Sequence, residues 1–199
     1  IFGGLGFVGN QLVRTLKTTK QEVVIADNYF RVAEKIEDIS DIKCIKVDIR
    51  NEDDVRNVIL DIKPDVIINL AAIHYIPECN DTPSLAFDVN ISGVLNILKT
   101  LQYHQPKSIV LISSGAVYAD SDTLLEEGAS KVEPVDIYGI TKKCNEETAL
   151  VFSKNFPNIK FSIVRLFNVY GPRETNAHII PEIISQLRAS KTLNLGNLK

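Results

Sequence analysis

Five short runs rich in valine and isoleucine recur along this chain, separated by stretches with the spacing of amphipathic helices. The runs are EVVIA (22–26), KCIKV (43–47), DVIINL (65–70), SIVLIS (108–113) and FSIVRL (161–166). Each is largely apolar at consecutive positions rather than at alternate ones. A strand with one wet face alternates, whereas a strand covered by helices on both faces does not. The intervening patterns agree. Val8, Leu12, Val13 and Leu16 share one helical face. Residues 51–62 open with Asn51 as a cap, followed by Glu52, Asp53 and Asp54, which suit the positive end of a helix dipole. Further helices are expected over 84–103, 136–155 and 176–189. Such an alternation predicts an α/β fold: a parallel, doubly wound sheet with right-handed crossovers.

The chain has 199 residues, enough for one domain or one domain and part of another. Hydrophobic residues make up 45%, charged residues 24%, and the net charge is −3. That is the balance of a soluble globular protein, with no basic stretch to engage nucleic acid. No apolar run approaches the ~18 residues of a membrane span, and no signal peptide is visible. Cys44, Cys79 and Cys144 are far apart and odd in number. They make neither a disulfide framework nor a metal-ligand pattern, so a reducing, cytoplasmic compartment and no metal are expected. The chain begins at Ile1 and lacks methionine, and the strand that should precede its first glycines is nearly absent. A longer parent chain is the expectation. From Asn168 onward NVYGPRETNAH is turn-rich. Residues 1–168 are therefore read as one domain, and 169–199 as the start of a smaller, truncated region.

The stretch FGGLGFVGN, positions 2–10, places Gly3, Gly6 and Gly9 at even spacing, with Gly4 added. A strand ending near Phe2 must turn sharply into a helix starting near Phe7. Glycine permits the positive φ of such a turn. It also removes side chains, so a diphosphate can approach the main chain, where N–H groups and the helix dipole stabilise the anion. Gly9 within a helix costs ~1 kcal/mol against alanine, which close helix–sheet packing justifies. A plain tight turn is the simpler reading of a glycine cluster. Asp27 argues for more: it closes the next strand, about 20 residues beyond the glycines, where an acid binds a ribose 2′-hydroxyl. Its charge would repel a 2′-phosphate, favouring NAD over NADP. An Asp-Asn pair is also good turn chemistry.

YGITK (138–142) puts Tyr138 and Lys142 one helical turn apart. A phenol is a poor base near neutral pH. A lysine ammonium beside it, with the charge of an oxidised nicotinamide, would favour the phenolate. The pair could then take a proton from a sugar hydroxyl while hydride leaves the same carbon. Tyr-x-x-x-Lys also occurs by chance. Its setting is informative, because SIVLISS ends at Ser114, and carboxyl ends of strands line the ligand crevice of such a sheet. Ser114 can meet Tyr138 there. Loop capping is the rival role for Ser113 and Ser114.

With these pieces in place the sequence resembles the extended short-chain dehydrogenase/reductases, the NAD-dependent epimerase/dehydratase group acting on nucleotide sugars, on a Rossmann domain. The resemblance rests on GGLGFVG, ADN, VDIRN, NLAA, DVNISGVLNIL, SSGAVY, YGITK and RLFNVYGPR, in the family's order and over essentially the whole chain. It implies roles. Gly3, Gly6, Phe7, Val8 and Gly9 would lie along the pyrophosphate. Asp27 and Asn28 would hold the adenosine ribose, and Asp48 and Ile49 would flank adenine. Leu70, Ala71 and Ala72 would line the cofactor trough, with Asn90 below it. Ser114, Tyr138 and Lys142 would be catalytic. Phe167 would touch the nicotinamide region, and Asn168 would bind the substrate diphosphate. His74 would touch the nicotinamide ribose or the sugar, or be a loop histidine bound to backbone. Arg173 would pair with the substrate diphosphate or be a solvated loop charge.

Related 4,6-dehydratases carry Asp-Glu after the catalytic Ser or Thr, whereas this chain has Gly115-Ala116, which supply no acid or base. The resemblance thus implies a nucleotide-sugar 4-epimerase, a UDP-sugar being the expected substrate, acting through a transient 4-keto sugar. Alternatives are another NAD-linked nucleotide-sugar enzyme (reductase, decarboxylase or dehydratase), or a non-catalytic NAD-binding protein. It further implies a homodimer built on helices 84–103 and 136–155, with Ala149, Val151 and Phe152 as candidate contacts.

Overall fold

The computed structural model describes residues 1–32, 39–174, 176, 178–190 and 193–194. Its strands are β1 (Val24–Asp27), β2 (Lys43–Lys46), β3 (Val66–Asn69), β4 (Ser108–Ser114) and β5 (Lys160–Leu166). β1 pairs with β2, β3 with β4 and β4 with β5, all in parallel. Phe2 joins the two groups, bridging Ala26 on one side and Asn69 on the other. Its N–H donates to the Ile68 carbonyl, and its own carbonyl accepts from Leu70 N–H, both at 2.9 Å. The order is therefore β2-β1-Phe2-β3-β4-β5. Winding reverses at Phe2, and at such a switch point a crevice opens beyond the carboxyl ends of the strands.

Seven α-helices accompany the sheet among the described residues: α1 (Phe7–Lys17), α2 (Glu52–Ile62), α3 (Ile76–Asp81), α4 (Pro83–Phe87), α5 (Gly93–Lys99), α6 (Ile137–Asn155) and α7 (Ile179–Ala189). Asn51 caps α2 as expected, its side chain accepting from the N–H groups of Asp53 at 3.0 Å and Asp54 at 3.3 Å. Asp136 caps α6 through Gly139 N–H at 2.7 Å. Consecutive strand residues serve different cores. Ile25 packs with Leu5 and Val13, whereas Ala26 joins Ile67, Ile97, Leu98 and Ile109. That is why the strands read as unbroken apolar runs.

The segment expected as one helix over 84–103 is composite. α4 passes through a π-helical turn, Asp88–Ser92, into α5, which closes with a 3₁₀ turn at Thr100–Gln102. The wider turn re-aims the chain so that Gly93 lies against Ile49, where a Cβ would come within 2.5 Å of the Ile49 side chain. Asn96 then donates to the carbonyls of Ile49 at 3.0 Å and Arg50 at 3.1 Å. α7 starts at Ile179, later than expected. α3 escapes sequence periodicity because it has only 6 residues. Ala149, a candidate partner contact, is instead 1% exposed and part of the core, while Val151 remains on the surface. Among the described residues no helix is long and apolar enough to cross a membrane.

Candidate functional site

A crevice of about 1230 Å³ runs across the carboxyl ends of the strands. Gly3, Gly6, Phe7, Val8 and Gly9 form one end of its wall. Gly3 has φ +73°, and a Cβ there would stand 2.6 Å from Ala71 N. A Cβ on Gly9 would reach 2.2 Å from the Gly3 carbonyl oxygen. Both positions are closed by main chain. Gly6 differs: its nearest contact would be an ordinary 3.5 Å, and it faces the crevice. It is the N-cap of α1, with no side-chain cap and no acid in the first turn. The positive end of α1 is thus left open to an anion, and the cradle fits a diphosphate.

Asp27 closes β1 and is nearly buried. Its carboxylate accepts from Leu5 N–H at 3.1 Å and Tyr29 N–H at 2.9 Å. Burial nevertheless pushes its pKa above the ordinary carboxylate value. With about four acceptor sites on its two oxygens, the carboxylate still has room for a hydroxyl donor. Asn28 lines the crevice beside it, its Oδ1 accepting from Phe30 N–H at 3.0 Å. Asp48 pairs with Arg50 at 2.5 Å, which holds its carboxyl below the usual range. Ile49, Leu70, Ala71, Ala72 and His74 continue the wall. Burial lowers the pKa of His74, favouring the neutral ring, and its Nε2 lies 3.0 Å from the Asn176 amide nitrogen.

Asn90 does not reach the crevice. It is 0% exposed, and its carboxamide accepts from Ile73 N–H at 2.8 Å and donates to Ile73 O at 2.9 Å and Thr141 Oγ1 at 3.0 Å. It clamps the loop after β3 to α6, because every polar atom of the amide is used inside the protein. Phe167 and Asn168 line the crevice. Arg173 is not among the residues lining the crevice and has φ +71°.

Ser114, Tyr138 and Lys142 all face the far end of the same crevice. Ser114 stands beside the Tyr138 hydroxyl and favours its ionised form. Lys142 Nζ lies 5.5 Å from the Tyr138 ring centroid and donates to the Ile112 carbonyl at 2.9 Å. One expectation is corrected. Lysine does not make this phenol acidic in the protein alone: burial pushes Tyr138 up to about 12, Ser114 only partly opposing it. Burial also brings Lys142 down to about 8. A lysine held at about 8 has already lost its proton by the pH at which a phenol held at about 12 ionises, so no cation remains there to favour the phenolate.

The register of α6 on β4 depends on residues that spacing alone did not single out. Tyr138, Lys142 and Glu146 follow at four-residue intervals and meet Ser114, the Ile112 carbonyl and Ser113 in turn. Ser113 Oγ donates to Glu146 Oε1 at 2.5 Å. Arg165, the β5 partner of Ser113, makes two bonds to Glu146 at 2.8 and 2.7 Å and donates to Tyr118 Oη at 2.7 Å. Burial alone would raise the Glu146 pKa, but the bonds from Arg165 and Ser113 leave it below the usual value. The signal available in the sequence was the third member of the four-residue series.

Comparison with known proteins places this geometry. The profile of the NAD dependent epimerase/dehydratase family matches residues 1–199. Protein CapI of Staphylococcus aureus is 30% identical over 181 residues, 86% of this chain and 54% of that protein. The bifunctional UDP-glucose 4-epimerase and UDP-xylose 4-epimerase 1 of Pisum sativum is 28% identical over 185 residues, 88% of this chain and 53% of that protein. The crystal structure of the Thermus thermophilus UDP-glucose 4-epimerase in complex with NAD superposes with a TM-score of 0.82 at 25% identity, covering 92% of this chain and 59% of that one. The chain spans about half the length of the curated relatives it matches.

Proposed function

Because the chain belongs to the NAD dependent epimerase/dehydratase family, we propose that it forms the cofactor-binding part of an NAD-dependent nucleotide-sugar epimerase, acting at C4 of a UDP-sugar. The observation that carries this reading is one crevice with two equipped ends, an open helix N-terminus at Gly6 and the Ser114–Tyr138–Lys142 set. Gly3, Gly6, Phe7, Val8 and Gly9 would hold the diphosphate of NAD, and Asp27 and Asn28 its adenosine ribose. When bound, NAD supplies a hydride acceptor and donor whose oxidised ring is cationic.

Tyr138 takes the proton of the sugar hydroxyl and later returns it, while Ser114 holds the same oxygen. A phenol held at about 12 needs added positive charge before it can act as that base, so the cationic, cofactor-loaded state is the competent one. Lys142, anchored on the Ile112 carbonyl, keeps its charge fixed beside the ring. Gly115, pressed beneath Phe167, and Ala116 bring no acid or base to the sugar, which disfavours dehydration. Asn168 is a neutral donor suited to a substrate phosphate, and residues 169–199 would begin the substrate-binding region. Ile140, Leu150 and Val151 leave an apolar strip on α6 that suits a homodimer.

The test is product analysis on the full-length protein with NAD and UDP-glucose or UDP-galactose. Interconversion without net change in NADH is expected. Stoichiometric NADH consumption would instead identify a reductase, and no interconversion across a panel of nucleotide sugars would sink the epimerase assignment.

A further inference from the structure

The order β2-β1-Phe2-β3 sets the ends of β1 and β3 on opposite sides of the glycine turn. A side-chain link between the segments that follow those two ends can therefore bridge the rim of the crevice. One such link exists. Arg31, just past β1, forms an ion pair with Glu78 on α3, which follows β3. The same guanidinium donates to Asn176 Oδ1 at 2.8 Å, and the Asn176 amide nitrogen lies 3.0 Å from His74 Nε2. Arg31 and His74 both line the crevice. Segments distant in sequence, at 31, 74–78 and 176, are thereby tied into one polar span.

We propose that Arg31, Glu78 and Asn176 form a clasp that closes over a bound dinucleotide and slows its release. The Arg31 and Glu78 side chains are 30% and 21% exposed, so water screens their pairing less than that of a surface ion pair. Because the guanidinium is paired with Glu78, the clasp acts as a closed connection and not as free positive charge drawing in a diphosphate. The neutral His74 ring matches its place at the end of the chain, accepting a hydrogen bond from Asn176.

The inference rests on the dinucleotide reading of the crevice and not on the sugar reaction. Its test measures release of NAD from the loaded full-length protein, using a fluorescent NAD analogue as competitor. Wild type, Arg31→Ala, Glu78→Ala and the double variant are compared, with circular dichroism to establish folding. Each single variant should release NAD on the order of tenfold faster, and the double variant no faster than the singles. Acceleration by Arg31→Ala alone would mean direct contact with the ligand and would overturn the clasp, as would unchanged release or strictly additive effects. If an alanine variant does not fold, Arg31→Lys and Glu78→Gln complete the same cycle under the same criteria. A wild-type protein that holds no NAD would overturn the dinucleotide reading and the clasp with it.

Discussion

At the glycine end of the crevice the binding surface is main chain. Gly3 and Gly9 are confined by backbone atoms, Gly6 leaves a helix end uncapped, and Asp27 is fixed by the N–H groups of Leu5 and Tyr29. At the tyrosine end the surface is side chain. Ser114, Tyr138 and Lys142 stand where Glu146, Arg165 and the Ile112 carbonyl hold α6 against β4. The first construction presents partial charges that cannot titrate, with Asp27 as an ionisable group beside them. The second concentrates groups whose protonation shifts, and burial moves Tyr138 and Lys142 in opposite directions, toward their neutral forms. On the proposed reading, rigid main chain would serve holding, and tunable side chains would serve proton transfer.

Four substitutions test that contrast. The largest effect is expected from Tyr138→Phe: turnover of nucleotide sugar should fall by about 10³-fold, with NAD affinity unchanged in a titration of the same protein. Undiminished activity would remove Tyr138 as the base. At the opposite end, Gly9→Ala must drive a methyl against the Gly3 carbonyl and should destabilise by about 3 kcal/mol in urea unfolding, with loss of NAD binding. A variant as stable as wild type would show that the glycine end tolerates side chains after all. Glu146→Ala leaves Arg165 and Ser113 without their shared acceptor and should cost about 2–3 kcal/mol. Its kcat should fall more than its KM rises if α6 slips on β4, and an unchanged kcat would separate Glu146 from the positioning of Tyr138.

Lys142→Met, the smallest effect, has the opposite sign. The folded protein holds this ammonium at about 8 against an ordinary 10.5, so below pH 8 its charge opposes folding. That penalty fades as pH rises from about 8 to 10.5, and wild-type stability from this group rises over the same window. Removing the charge should stabilise the protein at pH 7 by about 2 kcal/mol, read by urea unfolding. The gain should disappear by pH 10.5; a variant less stable than wild type at pH 7 would mean that the Ile112 bond outweighs desolvation.

Much of this architecture was legible beforehand. Consecutive apolar residues announced strands covered on both sides, and Asn51 and Asp136 marked helix starts. The crevice residues at Gly3, Gly6, Asp27, Ala71, Ser114 and Tyr138 lie within local motifs, where turn geometry and helical period act over a few residues. Asn90 was misplaced because a motif gives a position along the helix, whereas the π-helical turn at Asp88–Ser92 decides which way that position faces. Glu146 with Arg165, 19 residues apart, and Arg31 with Asn176, 145 apart, meet only once the sheet is assembled.

By itself the sequence determined a parallel, doubly wound sheet with a glycine turn, an acid at the end of the strand after it and a Tyr–Lys helix, since these follow from periodicity, φ freedom and spacing along one element. The tertiary structure alone decided which groups are dry. Dehydration sets the ionisation of Tyr138, Lys142 and Asp27, and it depends on how distant segments close around them, a quantity that no local pattern carries.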